Sequence, residues 1–257
     1  MKVSTKNNWE QFWESKDTVH EVYSNSDRVL RNLRRVVDLS GKKVLEIGAG
    51  TGRDSLNLAG CNAKVYQIDY AMSALKIMKE VATDSGLPIY LIGGDAFELP
   101  FAEGTFDIVF HQGLLEHFRE PQATNLLKEN VRVLKPGGLL LVDVPQRYHI
   151  YTVIKHILIA LNAWFAGWER EFSVNELESK LKKLGLSLVR SYGEWMYPSL
   201  AYRMSREVLR KVGLKLPLYP RLFSPATKLR ARLRESLLEM RIALHTALSI
   251  GVIARKP

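Results

Sequence analysis

Only one cysteine, Cys61, stands among 257 residues, which excludes a disulfide framework and points to a reducing compartment. The opening residues Met1-Lys2-Val3-Ser4-Thr5 run into polar sequence and lack the apolar core of a signal peptide, so a cytoplasmic location is expected. No apolar run is long enough to span a bilayer; the strongest, over residues 151–168, is interrupted by Lys155 and His156. Internal repeats and low-complexity tracts are missing as well. Acidic residues are scarce in one place. Residues 196–257 hold 3 of them against 13 basic ones, whereas the first 195 residues balance at 24 each, so the whole formal charge of +10 sits in the last quarter. Such asymmetry suits a local anionic partner better than a uniformly basic surface.

What is present suits one soluble α/β domain with a sizeable core: 46% hydrophobic and 25% charged residues are ordinary for that class. Along residues 43–144 short apolar runs alternate with helical patterns, the signature of βαβ units around a parallel sheet. Strands are predicted at 43–47, 64–68, 88–92, 106–110 and 139–144, and helices at 53–59, about 73–82 and 121–134. Lys135-Pro136-Gly137-Gly138 reads as a turn.

Regularity fails beyond Pro145. Residues 151–168 form an apolar helical stretch broken by Gly167. At Phe172-Ser173-Val174-Asn175-Glu176 a helix is predicted to start with Ser173 as N-cap and Glu176 at the capping-box position, ending near Gly185. A sixth strand begins at 186–189 and a last one covers 250–254, so the basic stretch between them is an insertion. Within it Pro225 opens a helix capped by Ser224, and Leu229, Leu233, Leu237, Met240 and Leu244 recur as one apolar stripe. Two readings of that helix stay open. Its stripe packs on the sheet and leaves Lys228, Arg230, Arg232, Arg234 and Arg241 in solvent, or those cations dock on anionic lipid or a phosphate-bearing acceptor.

Three signals point to a nucleotide-like ligand. Val44-Leu45-Glu46-Ile47-Gly48-Ala49-Gly50-Thr51-Gly52 is a buried strand feeding a glycine-rich turn and then a helix. A dinucleotide fingerprint would need its third glycine at position 53, which is Arg53. Asp69 closes the second strand about 20 residues on, where a carboxylate accepts from ribose hydroxyls or simply caps a helix. After the third strand, Gly94-Asp95-Ala96 offers an acceptor for an exocyclic amine and a backbone N–H, or an ordinary turn.

These segments resemble the core of class I S-adenosylmethionine (SAM)-dependent methyltransferases, in the group that includes small-molecule, quinone and sugar methyltransferases. The resemblance rests on LEIGAGTG at 45–52, QIDYAMSAL at 67–75, GDAFELPF at 94–101, FDIVFHQGLLEH at 106–117 and VLKPGGLLLVDVP at 133–145, with FSVNELESKLKKLGL at 172–186 beyond them. It implies a doubly wound, Rossmann-like α/β sheet of seven strands in the order 3-2-1-4-5-7-6, strand seven antiparallel, and SAM at the carboxyl edge. It divides the single domain into a helical cover over 1–40, a SAM-binding core over 41–145, a lid or acceptor region over 146–185 and a basic helical insertion over 196–247.

The same resemblance assigns residues. Glu46, Gly48 and Gly50, with Ala49 and Gly52 in the same turn, would surround the methionine part of SAM. Asp69 would bind the ribose with Tyr70 beside it, Met72 would pack near the adenine, and Asp95 and Ala96 would meet the adenine edge. Gln112 would lie beside the sulfonium, and Trp9, Phe12, Trp13 and Tyr23 belong to the covering segment.

The acceptor chemistry is less defined. No Asn/Asp-Pro-Pro-Tyr/Phe sequence follows strand four, which argues against methylation of adenine amines in nucleic acid. His117 is the candidate general base, with a helix-start role as its alternative. A metal shared with Glu116 would have only two neighbouring ligands, so no metal is assigned. His149, Tyr148 and Tyr151 are further acceptor-side candidates. The apolar stretch at 151–168 is a lid buried on the core, an apolar acceptor pocket or an interfacial helix. The expected activity is methyl transfer from SAM to a small or lipophilic acceptor: a quinone-like ring, a lipid or a lipid-linked sugar. The basic insertion adds an anionic membrane surface as a possible partner. The rivals are an RNA methyltransferase, a SAM-binding module without catalysis, and an NAD-dependent oxidoreductase disfavoured by Arg53.

Overall fold

The computed structural model describes residues 5–15, 27–162, 164, 166–195, 197–220 and 224–257. Tyr23, and the side chains of Ser224, Pro225 and Lys228, lie outside the described residues, so the expectations placed on them have no structural counterpart. Seven strands form one sheet: β1 (Lys43–Ile47), β2 (Lys64–Asp69), β3 (Ile89–Gly93), β4 (Phe106–Gln112), β5 (Leu134–Pro145), β6 (Ser187–Glu194) and β7 (Ser249–Arg255). Their order is β3-β2-β1-β4-β5-β7-β6, and β7 alone runs antiparallel, as the motif order implies.

Both faces of the sheet are covered, which is why its central strands read as continuous apolar runs. Alternate residues serve opposite layers. Leu45, Val109, Leu140 and Val252 pack under α5 (Gln122–Val133) and α7 (Val174–Lys183). Val44, Ile108, Leu141 and Ile253 pack under α2 (Asp27–Leu33) and α3 (Arg53–Ala59). In α5 the buried residues Ala123, Leu126, Leu127, Asn130 and Val133 follow the helical period. Two further helices, α1 (Lys6–Glu14) and α4 (Met72–Ser85), pack against each other near the end of β2.

Several local expectations need correction. Lys135–Gly138 is a bulge inside β5: the ladder to β4 runs Phe106 to Leu134 and resumes only at Ile108 to Leu139, with Gly137 at φ 76°. Ser173 does cap α7, accepting from the Glu176 backbone N–H at 3.2 Å. The Glu176 carboxylate, though, turns to Arg147 and Arg170 instead of closing a capping box. The apolar stretch after β5 forms α6 (Ile150–Ala160), which ends at Asn162 in the left-handed region at φ 53°, well before Gly167.

Helix polarity is the larger surprise. In α6 Lys155 is only 3% exposed, ion-paired at 2.7 Å with both Glu169 and Glu171, while Ile150 and Leu161 are 73% and 70% exposed. Its apolar side chains face both ways, with Ile159 buried and Ile150, Val153 and Ile157 exposed. Between β6 and β7 lie α8 (Leu200–Lys211), α9 (Ser224–Leu238) and the short α10 (Ala243–Thr246). The apolar stripe of α9 does not pack on the sheet: Leu229, Leu233 and Leu237 are exposed, and Met240 and Leu244 fall beyond the helix end. Arg234 instead turns inward to the fully buried Glu194, and Arg230 covers the Tyr197 ring at 4.8 Å.

Close approach at Gly193 joins this region to the sheet, and a second at Gly251 packs β7 against β6. A methyl group at Gly193 would collide with the backbone carbonyl of Ala243, and one at Gly251 with the Tyr192 ring. Neither neighbour can move aside, because one is backbone and the other ring is buried. Gly193→Ala and Gly251→Ala should each lower stability in denaturant unfolding by about 1–3 kcal/mol. An unchanged midpoint in either variant would contradict the packing described.

Candidate SAM site at the carboxyl edge

The strands β1, β2 and β4 end on one edge, and a cavity of 490 Å³ opens there, within the range of small-molecule sites. The β1–α3 turn forms one wall. Gly50 sits at φ 56°, and a Cβ on it would lie 2.6 Å from the Trp13 ring, so only glycine lets the indole approach the turn. A Cβ on Gly52 would meet the Gln67 amide, whose nitrogen donates to the Gly52 carbonyl at 2.7 Å. Gly52 therefore serves packing behind the turn.

Asp69 ends β2 and fixes the turn from behind. One carboxylate oxygen accepts from the Gly50 N–H and the other from the Ala71 N–H, both at 3.0 Å. A carboxylate offers about four lone-pair sites, so two remain for a ligand. Burial raises the Asp69 pKa, and the backbone donors oppose that shift. At the end of β3, Asp95 closes a local turn by accepting from the Phe97 N–H at 2.9 Å.

Gly48, Ala49, Gly50, Asp69, Tyr70, Asp95, Ala96, Gln112 and His117 all line the cavity. Three expected residues do not. Met72 is 66% exposed at the start of α4, and Gly52 faces Gln67. Glu46 lies buried behind the turn, accepting from the Ser55 hydroxyl, and burial raises its pKa well above the carboxylate range. Of the covering aromatics Trp9 and Trp13 reach the cavity, Trp9 standing edge-on to the His117 ring with centroids 5.1 Å apart.

On the opposite wall His117 occupies a single 3-10 turn after β4, its side chain 5% exposed. Its Nε2 lies 3.1 Å from the Gly113 carbonyl, which can only accept, so Nε2 carries a proton and Nδ1 is the titrating atom. Nδ1 has no hydrogen-bond partner, and the Glu169 carboxylate lies 3.9 Å away. Burial lowers the His117 pKa, and Glu169 opposes that shift. The neighbouring Glu116 is turned inward, and burial, with Glu169 adding to it, raises it well above the usual carboxylate range. Among the described residues no three His, Cys, Asp or Glu side chains gather in a metal-binding group.

Sequence reasoning missed the cationic part of the wall. Arg28, from α2, donates to the Gln112 amide oxygen at 2.9 and 2.6 Å and to the Ser249 hydroxyl at 2.6 Å, and lies 3.3 Å from Asp143. Burial pushes Asp143 up to about 6, opposed by Arg28 and by the Tyr192 hydroxyl that donates to it at 2.8 Å. Arg53, Asp54 and Arg203 also line the cavity. Nothing in the spacing of Arg28, Arg31, Arg34 and Arg35 separates the first from its neighbours; only the folded chain does.

Comparisons with known proteins agree with the fold. A family described as "Methyltransferase domain" matches residues 44–138, inside the stretch read as the core. A demethylmenaquinone methyltransferase of Renibacterium salmoninarum is 39% identical over 113 residues, covering 42% of this chain and 45% of the relative. A ubiquinone biosynthesis O-methyltransferase of Parvibaculum lavamentivorans is 28% identical over 160 residues, covering 60% and 62%. The alignments thus span about half of these relatives' length. Among solved structures, magnesium protoporphyrin IX methyltransferase of Synechocystis, with bound SAH, superposes at a TM-score of 0.60 and 14% identity, covering 98% of this chain and 93% of that one. Residues 44–138 thus form a methyltransferase domain, set in a seven-stranded sheet of the order expected from the motifs for class I SAM-dependent enzymes.

Proposed function

We propose that the protein transfers a methyl group from SAM to a lipophilic, quinone-like acceptor. One observation carries the reading: a single cavity joins the Asp69 carboxylate and the glycine turn to His117 and two tryptophans. The donor side fits SAM. Asp69 keeps lone pairs for a ribose diol, the Gly48–Gly50 turn admits close approach, and Arg28, Arg53 and Asp54 share a wall that suits the charged ends of an amino acid. SAM supplies a methyl group on a charged sulfonium, so the work left to the protein is mostly positioning. Gln112, oriented by Arg28, and the indoles of Trp9 and Trp13 hold the reacting partners and exclude water.

Proton removal from an acceptor hydroxyl or ring position falls to His117, whose Nδ1 is the unprotonated nitrogen and lies buried on the side of Glu169. Glu169 then faces the imidazolium that forms. The names of the aligned quinone methyltransferases support an aromatic acceptor carrying a lipid tail, and the aromatic cover suits a flat ring.

Calorimetry should detect SAM and its demethylated product, with NADH silent. Asp69→Asn removes the charge, keeps an acceptor for one of the two backbone N–H groups and turns an amide donor toward the other. It should weaken SAM by roughly 10- to 150-fold, the equivalent of about 1.5–3 kcal/mol for hydrogen bonds to a charged group. NADH binding without SAM binding would end the reading. Labelled methyl uptake from SAM into quinone-containing lipid extract, and not into RNA, separates this function from the RNA and non-catalytic alternatives.

His117→Ala should lower turnover roughly 10²–10⁴-fold with SAM affinity nearly unchanged. A lowered histidine pKa has a definite sign in the rate profile. The imidazole stays neutral, and competent as a base, down to a pH below the ordinary value of about 6.5, so the acid limb of kcat/KM falls below that value. Full activity in His117→Ala would return the residue to a structural role.

A further inference from the structure

We propose that α6, α8 and α9 form one docking face for an anionic lipid bilayer, seating apolar side chains among the acyl chains around the mouth of the cavity. The topology places the three helices together. α6 leaves the carboxyl end of β5, while α8 and α9 lie between the carboxyl end of β6 and the start of the antiparallel β7. All these points are on the edge where the cavity opens, and Arg203 of α8 lines the cavity itself.

The polarity of the helices is the second observation. A helix facing water buries its apolar stripe and shows its charges. In α6 and α9 that order is reversed. α6 spends its single lysine on the buried pair with Glu169 and Glu171 and exposes Ile150, Val153, Ile157 and Leu161. α8 exposes Val208, with Val212 just after it at 69%. α9 turns Arg230 and Arg234 inward and leaves Leu229, Leu233 and Leu237 outside. An apolar area repeated over three helices marks an interaction surface. None of the described helices is long and apolar enough to cross a membrane, which leaves an in-plane arrangement at the interface.

Charge complementarity selects the occupant. Among the basic residues of the insertion, Lys215, Arg232 and Arg241 are exposed beside the apolar positions. Apolar insertion ringed by cations matches an anionic headgroup layer over an acyl interior. The choice of a bilayer over a soluble protein also rests on the lipophilic-acceptor reading, because a membrane-dissolved ring would then enter the cavity without crossing water.

The test is cosedimentation of the full chain with phosphatidylglycerol vesicles and with phosphatidylcholine vesicles. Binding to phosphatidylglycerol should be at least about tenfold tighter and should weaken with salt. Replacing Arg232 and Arg241 by Ser should reduce that preference roughly fivefold per arginine, the equivalent of about 1 kcal/mol each. Replacing Ile150, Ile157 and Leu161 by Ser, or Leu229, Leu233 and Leu237 by Ser, should abolish vesicle recovery with the circular dichroism spectrum and SAM affinity unchanged. Wild-type recovery in both apolar variants, no recovery with either vesicle at low salt, or self-association or RNA binding in place of vesicle binding would overturn the proposal. Methyl transfer to acceptor dispersed in detergent reads the catalytic proposal separately. Activity without vesicle binding sinks only the docking face, and vesicle binding without activity sinks only the methyl-transfer reading.

Discussion

The Arg28 guanidinium is the contact on which the geometry of the site depends. It reaches from α2 to the carboxyl ends of two strands and the start of the antiparallel β7, touching Gln112 of β4, Asp143 of β5 and Ser249 of β7. A parallel sheet covered on both faces offers polar groups only at its strand ends, so a cation lodged there sets the relative position of everything that converges on the cavity. Burial works against its charge and Asp143 favours it, with the net result that the Arg28 pKa is raised. A planar fork of donors holds fixed partners in a way that a lysine on the same stem would not. Gln112 is therefore aimed by Arg28, and the cavity inherits that orientation.

The same edge contains a second set of buried charges, farther from the sheet. Glu194, at the end of β6, is fully buried and bridges Arg31 of α2 to Arg234 of α9. Lys155, Glu169 and Glu171 form a comparable group beneath α6, with Trp164 donating to Glu169 at 2.7 Å and His156 at 2.7 Å from Glu171. Taking such charges out of water costs several kcal/mol per ion, and the pairing offsets the cost only with good geometry and additional donors. These pairs are consequently weak as sources of stability. Their structural effect is orientation: once a helix commits its cation to an interior carboxylate, its opposite face is fixed outward.

Legibility in the sequence follows burial. The five core strands could be read because a strand covered on both faces is apolar throughout, and the glycine turn because its backbone must bend where β1 meets α3. The order of all seven strands came from the motifs rather than from any pattern of hydrophobicity. Periodicity failed where it had to choose a direction. It identifies the Leu229, Leu233 and Leu237 stripe but carries no information about which side of α9 meets the protein. The deciding partner, Glu194, is 40 residues from Arg234 in the chain. Glu176 shows the same limit at short range: the capping-box spacing is present, yet Arg147 and Arg170 compete for the carboxylate and win.

The inverted helices and the cavity are two consequences of one arrangement. The carboxyl edge gathers acidic groups, Asp69, Asp143, Glu194, Glu169 and Glu171 among them, because strand ends and the loops beyond them are where side chains escape the apolar layers. Cations drawn from the surrounding helices neutralise the last four, so Arg28, Lys155 and Arg234 point inward. A helix whose charged side is taken up in this way has only its apolar side left to present. α6 and α9 therefore show hydrocarbon to the outside for an electrostatic reason that lies inside. An edge built this way combines a polar, charge-lined cavity with apolar side chains on the helices that leave the same edge, so the charges that neutralise the interior also decide what the exterior presents.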